Sequence, residues 1–273
     1  MKKIFRAIAL LLTVSLATCV FSGCDKQPAA PSFTKETAYA LYCNTIQAFV
    51  PEQMTTPRGC DVDLKIHDDV TYSSEHFVRD ITNKVQTQVV SGGSEFYVLS
   101  DFPDANARNF CCIRNGRCFS TAKNFGMDKK GELKELSNED TPRTLISYLP
   151  IPSFDQDAIK SFVAETNDTD TETKITFTVD GTRMEILYMM RLMREISPDN
   201  LDCLDDIKIT LTVGQDGKPT TMTLWQSLTR LQVTNGKVLA QKTLETECIF
   251  NEWDTVSFDL DEIAAQYTTG IPE

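Results

Sequence analysis

Apolar and polar residues alternate along much of this chain, which is the pattern of strands that bury one face. The alternation is clearest over residues 206–213, where one face carries Ile207, Ile209, Leu211 and Val213. Asp216-Gly217 and Asn235-Gly236 predict hairpin turns on either side of a strand over Pro219–Gln232, which is long enough that we expect a β-bulge. Hairpins in series predict an antiparallel meander and argue against a βαβ fold.

The same patterns predict the other elements of the chain. Strands are expected over residues 61–66, 81–90, 95–100, 108–114, 117–122, 172–179, 237–250 and 255–260. Apolar residues three and four positions apart predict helices over residues 38–49, 144–149, 155–166, 182–196 and 261–267. In the helix over 155–166, the inward positions would be Ile159, Phe162 and Val163.

The first 23 residues have the pattern of a bacterial secretory signal peptide. Three basic residues precede an apolar stretch over 7–20, and Phe21-Ser22-Gly23-Cys24 resembles a lipobox, in which the chain is cut before a cysteine that is then lipidated. The apolar stretch of about 14 residues is shorter than the roughly 20 that a membrane-spanning helix needs. We therefore expect lipidation at Cys24 and attachment to the outer face of the cell membrane. An uncleaved anchor or simple secretion is the alternative.

This leader sets the expected domain organisation. A signal peptide over residues 1–23 is followed by a flexible tether over 24–37, a single domain over 38–267 and a tail over 268–273. The tether contains Gln27-Pro28-Ala29-Ala30-Pro31-Ser32, which has no periodicity and includes two prolines. The chain after the leader is long enough to bury a large core.

The charge of the chain restricts its partners. Removing the leader takes away three of the 27 basic residues and none of the 39 acidic ones, so the rest of the chain has a formal charge of −15. Such a surface repels nucleic acid and anionic lipid headgroups. We expect a solvated surface, a monomer, no nucleic-acid partner and no cofactor, and the protein partner is left open.

Seven cysteines follow Cys24, and an odd number cannot all pair within one chain. Asn115-Gly116 is a type I′ hairpin signal that sets Cys112 opposite Phe119 and leaves Cys111 and Cys118 as diagonal neighbours. Because a disulfide needs closer Cβ atoms than a diagonal pair has, we expect no bridge in this hairpin. Pairing is left open among Cys43, Cys60, Cys111, Cys112, Cys118, Cys203 and Cys248.

Catalytic and metal-binding motifs are missing from the sequence. A Ser-His-Asp triad would need His67 or His76, both expected in solvated loops, and there is no Gly-x-Ser-x-Gly elbow. No Cys-x-x-Cys and no Gly-rich phosphate loop occurs. Asp168, Asp170 and Glu172 alternate as calcium ligands can, but the glycine and final glutamate of an EF-hand are absent, so we expect the wet face of a strand. We therefore expect no catalytic residue, no metal and no enzyme activity.

The order of elements resembles that of the LolA/LppX-like envelope lipoproteins. The resemblance is carried by the Cys24 lipobox, by Lys208–Val213 followed by Gln215–Pro219, and by the ending Val256–Ile263. It covers most of residues 38–267 as a pattern of elements, and it offers no site motif to carry over. The resemblance implies an α+β fold in which a strongly curved antiparallel sheet, a half-barrel meander, has helices covering its concave face. It also implies an apolar cavity between helices and sheet that holds lipids or acyl chains.

A methionine-rich segment over residues 184–193 fits such a cavity as a lid, because methionine side chains adapt to varied apolar ligands. An ordinary core helix is the alternative interpretation. The leading functional hypothesis is a non-catalytic binding or carrier protein for an apolar ligand, with a lining of Phe177, Leu187, Met189, Met193, Leu211 and Leu224. The alternatives are a cell-surface interaction module with a solid core and, third, an envelope hydrolase. An apolar cavity of roughly 300 Å³ or more would favour the first.

Overall fold

The chain folds around one antiparallel sheet, which has thirteen strands in the part that this computed structural model describes. The described residues are 31–47, 58–72, 75–89, 95–103, 107–121, 125–126, 131–136, 151–167, 169, 171–184, 199–254 and 257–267. The α+β class and the large open antiparallel sheet predicted from the sequence are therefore confirmed.

The elements follow the order helix, sheet, helix. The strands are β1 Arg58–Tyr72, β2 Glu75–Val89, β3 Glu95–Phe102, β4 Ala107–Arg114, β5 Arg117–Thr121, β6 Phe125–Gly126, β7 Leu133–Glu135, β8 Ile159–Thr166, β9 Glu172–Val179, β10 Asn200–Leu204, β11 Ile207–Gly214, β12 Pro219–Gln232 and β13 Val238–Trp253. The helices are α1 Lys35–Gln47 and α2 Leu260–Ala265. Neither α1 nor α2, the helices of the described residues, has the length and apolar character of a bilayer-spanning helix.

The sheet runs in the order β7-β5-β4-β3-β2-β1-β13-β12-β11-β9-β8, with β10 on β12 and β6 on β4. The predicted meander of the last third is confirmed as β11, β12 and β13, each paired with the next. The bulge expected in the long strand is present at Thr220, because Thr212 pairs with Thr221 and Val213 with Pro219. A second bulge lies in β13 at Leu239, where Arg230 pairs with Ala240 and Leu231 with Val238. The first strand, β1, pairs with the last strand, β13, at the centre of the sheet.

The helix predicted over residues 155–166 is wrong, because Ile159–Thr166 is a strand preceded by a 3₁₀ turn at Gln156–Ala158. The register explains the misleading spacing. Ile159 pairs with Val179, whereas Ser161 pairs with Thr178, so a bulge at Lys160 inserts one residue. Ile159 and Phe162 therefore face the same side of the sheet although they are three positions apart, which mimics helical periodicity.

Other predicted bounds also change. Residues 257–259, predicted to end a strand, are not in a strand, and the Asp259 carboxylate instead accepts hydrogen bonds from the amides of Asp261 and Glu262 at the start of α2. The predicted helix over 182–196 does not begin as an α-helix, since Gly181–Arg183 is a 3₁₀ turn capped by Asp180. The rest of that helix, over 185–196, and the predicted helix over 144–149 lie outside the described residues.

One face of the sheet, here called the α1 face, carries the main core. Alternate residues of the central strands point to it and are fully buried, among them Leu64, Cys248, Met222, Leu211 and Phe177. Helix α1 packs on this face through Ala38, Tyr42 and Ile46, which belong to the same cluster. Because the strands bury every second residue here, the face forms by simple alternation.

The opposite face, here called the polar face, has two parts. Over β3, β4 and β5 it is apolar and carries Tyr97, Phe110 and Phe119, which pack with Ile263 of α2. Over β9, β11, β12, β13, β1 and β2 it carries mainly threonine and charged side chains. Helices α1 and α2 therefore lie on opposite faces of the sheet.

Candidate functional site

Three of the residues predicted to line a ligand cavity lie close together on the α1 face. Phe177 of β9 and Leu224 of β12 both pair with Ile209 of β11, and Leu211 follows two positions along β11. All are at most 1% exposed. The other predicted site residues, Leu187, Met189, Met193 and the lipidation site Cys24, lie outside the described residues.

Aromatic rings enclose Phe177 on this face. The Tyr42 ring of α1 meets it edge-on at a centroid distance of 6.2 Å, and the Phe162 ring lies 5.8 Å away. Tyr42 also stacks on Phe154 at 4.9 Å, and its hydroxyl donates to the carbonyl of Pro152 at 2.5 Å. Helix α1 and the segment around Pro152 thus fill the space beside Phe177 with side chains of the chain itself.

The α1 face becomes polar towards one end of the central strands. Leu244 of β13 is flanked across the sheet by Asp68 of β1 and Gln226 of β12. Along its own strand it lies between Lys242 and Thr246, which share its face by alternation. These residues, Asp68, Gln226, Lys242 and Thr246, are here called the polar ring. All four are buried or nearly so, since the side chains of Asp68 and Lys242 are 9% and 13% exposed and Gln226 and Thr246 are 1% and 2% exposed.

Charge within the polar ring is balanced by ion pairs. The Asp68 carboxylate lies 3.0 Å from the Lys242 ammonium and 3.0 Å from the guanidinium of Arg79 on β2. Among the residues that the structure describes, in contrast, the Thr246 hydroxyl has no hydrogen-bond partner, and neither has the side-chain oxygen of the buried Asn83 on β2. Leaving a buried polar group unpaired costs about 1–3 kcal/mol, so this end of the α1 face retains unused hydrogen-bonding capacity.

The polar face contains a hollow of about 890 Å³, which we call the polar hollow. The side chains of the polar face that line it are Lys65, His67, Asp80, Thr82, Lys174, Lys208, Thr210, Thr223, Trp225, Glu245 and Glu247. Ile66, Ile81, Leu224 and Thr246 also border it, but by alternation their side chains belong to the α1 face. Lys65 pairs with Glu247 at 2.9 Å, and His67 Nδ1 lies 2.7 Å from the Asp80 carboxylate. Trp225 contributes a large aromatic side chain that is 40% exposed.

Both histidines lie in strands and not in the loops predicted from the sequence. His67 is in β1 and faces Asp80 of β2, and His76 is in β2 with its Nε2 2.8 Å from the Asp69 carboxylate. The hydrogen bond with Asp80 raises the pKa of His67 above its ordinary value of 6.5, and the charges of Asp80, Glu245 and Asp69 act in the same direction. Among the described residues that line the polar hollow there is threonine but neither serine nor cysteine, so His67 has no partner there for a serine or cysteine nucleophile.

The hairpin register around Asn115-Gly116 is confirmed. Cys112 pairs with Phe119 and Ile113 with Cys118, so Cys111 and Cys118 are diagonal neighbours on the α1 face. The described residues contain no cluster of three or more His, Cys, Asp or Glu side chains that could hold a metal ion. Asp168 and Asp170 of the calcium hypothesis lie outside the described residues, and Glu172 begins β9.

The sequence analysis did not identify Trp225 or the polar ring, although the alternation contains a signal for both. Within β12, Met222, Leu224 and Leu228 define the buried phase, which leaves Trp225 in the exposed phase and puts Gln226 in the buried one. Trp225 is a large aromatic residue at an exposed position of β12, and Gln226 is an amide at a buried position. Both are exceptions to the alternation of buried apolar and exposed polar residues. Such exceptions are where function is expected, because they do not serve packing.

Comparison with known proteins finds several solved structures that are similar to this chain at low identity and low TM-score. No protein-family model and no curated protein matches it. It is similar to an uncharacterized conserved protein from Thermus thermophilus, at 10% identity over 81% of this chain and 91% of that chain, with a TM-score of 0.30. A DUF1329 family protein from Desulfovibrio piger is 9% identical over 84% and 95%, with a TM-score of 0.25. A putative outer membrane lipoprotein-sorting protein domain from Vibrio parahaemolyticus is 9% identical over 83% and 94%, with a TM-score of 0.24.

Proposed function

We propose that this protein is a non-catalytic binding or carrier protein for an apolar ligand such as a lipid or acyl chain. We propose that the protein lies at the outer face of the cell membrane, where the lipidated Cys24 tethers it. The ligand would lie against the α1 face, near Leu211 and Leu224. Leu187, Met189 and Met193 would cover it, since methionine side chains adapt to varied apolar shapes.

The observation that supports the proposal most is the change of character along the α1 face. Fully buried apolar side chains of β9, β11 and β12 lead into the polar ring around Leu244. A hydrocarbon chain gains about 0.8 kcal/mol for each CH₂ group it buries, and it needs no specific hydrogen bond. A polar end group, by contrast, needs partners, which Thr246 and Lys242 could supply. The face therefore complements a ligand that has a long apolar part and a small polar end.

Native mass spectrometry of the mature chain, residues 24–273 carrying Cys24→Ser so that no anchor is attached, tests the proposal directly. A co-purified lipid, identified after extraction, is the expected result. A fluorescent fatty-acid probe should bind the lipid-free chain. Leu187→Ala and Met193→Ala should change the affinity for that probe more than they change the melting temperature. A chain that carries no lipid and binds no probe would contradict the proposal.

The polar ring provides a matched pair of variants for the same assay. Thr246→Val keeps the shape of the side chain and removes its hydroxyl, so it should weaken binding of the fatty-acid probe by a few-fold without loss of stability. Thr229→Val, an equally conservative change on β12 but on the polar face, should leave binding unchanged. Equal affinities for the two variants would remove the polar ring from the ligand site.

The tether is tested separately. Cys24→Ala removes the thiol that lipidation needs, so the variant should leave the membrane fraction after salt and carbonate washing. If it stays in that fraction, the leader acts as an ordinary membrane anchor and the lipoprotein assignment is wrong.

A cell-surface interaction module with a solid core is the second candidate function. The aromatic side chains around Phe177 favour it, because Tyr42, Phe154 and Phe162 occupy the space that a ligand would need there. In a solid core, Phe177→Ala should lower the free energy of unfolding by about 3–5 kcal/mol. In a ligand-filled site the same change should mainly alter probe affinity, so urea unfolding and probe titration of this one variant separate the two candidates.

A further inference from the structure

Trp225 is placed on the polar face by the alternation of β12. Its neighbours in the buried phase, Leu224 and Leu228, are 1% and 2% exposed, whereas Trp225 is 40% exposed. Exposure of a large aromatic ring to water is unfavourable, and the ring has an electron-rich face that attracts weakly positive C–H groups. The second tryptophan, Trp253, is in contrast bound within the fold, since its indole N–H donates to the carbonyl of Pro219 and its ring stacks on Phe250.

The register of five strands arranges hydrogen-bonding groups around Trp225. Lys208 of β11 and Glu245 of β13 are its direct cross-strand neighbours. Glu245 in turn pairs with His67 of β1, and His67 pairs with Asp80 of β2. A parallel row on the same face consists of Thr210, Thr223, Glu247, Lys65 and Thr82. Donors and acceptors therefore alternate along the floor of the polar hollow, beginning beside the indole ring.

The charges in the polar hollow are mixed, unlike those of the chain as a whole. Three lysines and one histidine face three carboxylates among its lining residues, whereas the full sequence has a formal charge of −12. Two of the carboxylates are already paired, Glu247 with Lys65 and Asp80 with His67. A strongly charged ligand of either sign would meet like charges here. A neutral ligand with many hydroxyl groups could instead accept from the lysines and donate to the carboxylates.

From this arrangement we propose that the polar hollow binds a neutral carbohydrate, with one sugar ring stacked on Trp225. The face of a pyranose ring presents C–H groups to the indole, while its hydroxyls reach Lys208, Glu245 and His67. The volume of about 890 Å³ lies in the range of small-molecule sites. The site is on the opposite face of the sheet from the proposed apolar ligand, so it does not depend on that proposal.

Calorimetric titration of the mature chain, residues 24–273, with neutral oligomers of glucose and of N-acetylglucosamine tests the proposal. We expect binding to at least one of these glycans, with a change in tryptophan fluorescence. Trp225→Ala should weaken it by about tenfold or more, equivalent to about 1.4 kcal/mol, whereas Trp225→Tyr should retain most of the affinity because the stacking surface remains. Val78→Ala, at an exposed apolar position of the same face outside the hollow, is the matched control.

The dependence of glycan affinity on salt concentration is a second readout, and it separates a neutral ligand from one that is bound by its charge. Recognition of a neutral glycan should change little with ionic strength, because no net charge is exchanged. Absence of binding to every neutral glycan overturns the proposal. Undiminished binding by Trp225→Ala also overturns it, since the glycan would then lie elsewhere. Binding confined to charged saccharides and lost at high salt would show that the ligand is an ion and not a neutral sugar.

Discussion

The Sγ atoms of Cys111 and Cys118 lie 3.8 Å apart on the α1 face of the hairpin that joins β4 and β5. This is a contact between two thiols and not a disulfide. A disulfide requires an S–S distance of about 2.05 Å and Cβ atoms as close as those of a directly opposed pair. The contact raises the pKa of Cys111 well above its ordinary value, and burial acts in the same direction. The neighbouring Cys112 faces the opposite side of the sheet, where it belongs to the apolar cluster that includes Ile263 of α2, and burial raises its pKa to about 12.

These thiols should therefore be unreactive in the folded chain. Because the thiolate is the reactive form, Cys111 and Cys112 should resist alkylation by iodoacetamide at mildly alkaline pH until denaturant is added, and burial should protect Cys118 as well. Cys203, which is only partly buried, is the internal control and should be labelled first. Peptide mass spectrometry gives the rate at each cysteine. Equal labelling of Cys112 and Cys203 without denaturant would show that this end of the sheet opens readily.

Gly181 is predicted to tolerate no side chain. A Cβ atom added there would lie 2.1 Å from the carbonyl oxygen of Asp205 and 2.5 Å from that of Leu204, and backbone atoms cannot move aside as a flexible side chain can. Gly181→Ala should lower the free energy of unfolding by about 1–3 kcal/mol or more. Gly214→Ala is the control, because its nearest neighbour is the end of the Asp216 side chain. Chemical denaturation of both variants makes the comparison, and equal midpoints would refute the predicted clash.

The turn at Gly236 has room for a side chain, but its backbone conformation should be strained by a β-branched residue. Its φ is 68°, and a Cβ added there would have no atom within 4 Å, so any loss comes from the backbone alone. Gly236→Val should destabilise the fold by about 1 kcal/mol or more, since L-residues are strained in this region. Thr234→Val, in the same loop without a positive φ, should have little effect. Equal melting temperatures for the two variants would contradict a strained backbone at Gly236.

His67 should titrate above its ordinary pKa of 6.5 because of its hydrogen bond with Asp80. A raised folded-state pKa means that the pair stabilises the fold fully below the unfolded value, and that this stabilisation is lost as the pH rises through the folded value. Asp80→Asn should lower the pKa of His67, as followed by the imidazole C–H resonances in NMR. Asp63→Asn, on the same strand as His67, serves as the control. An unchanged titration in Asp80→Asn would exclude the pair as the cause.

Several features of this protein follow from the sequence alone, because they depend on residues that are neighbours along the chain. Alternation over Glu172–Val179, and the hairpin turns on either side of Pro219–Gln232, predict those strands with the bounds that the structure has. Asn115-Gly116 sets the register of its hairpin, since only a tight turn with positive φ at both residues joins the strands there. The lipobox prediction at Cys24 likewise rests on local sequence and remains to be tested.

Other features were decided only when strands distant in sequence became neighbours. The bulge at Lys160 arises from pairing with β9, so the spacing of Ile159 and Phe162 could not by itself separate strand from helix. The polar hollow exists because β1 pairs with β13, which brings His67 beside Glu245 and so close to Trp225. Alternation determines which face a side chain occupies, but strand order determines which side chains meet, and strand order is a property of the whole sheet.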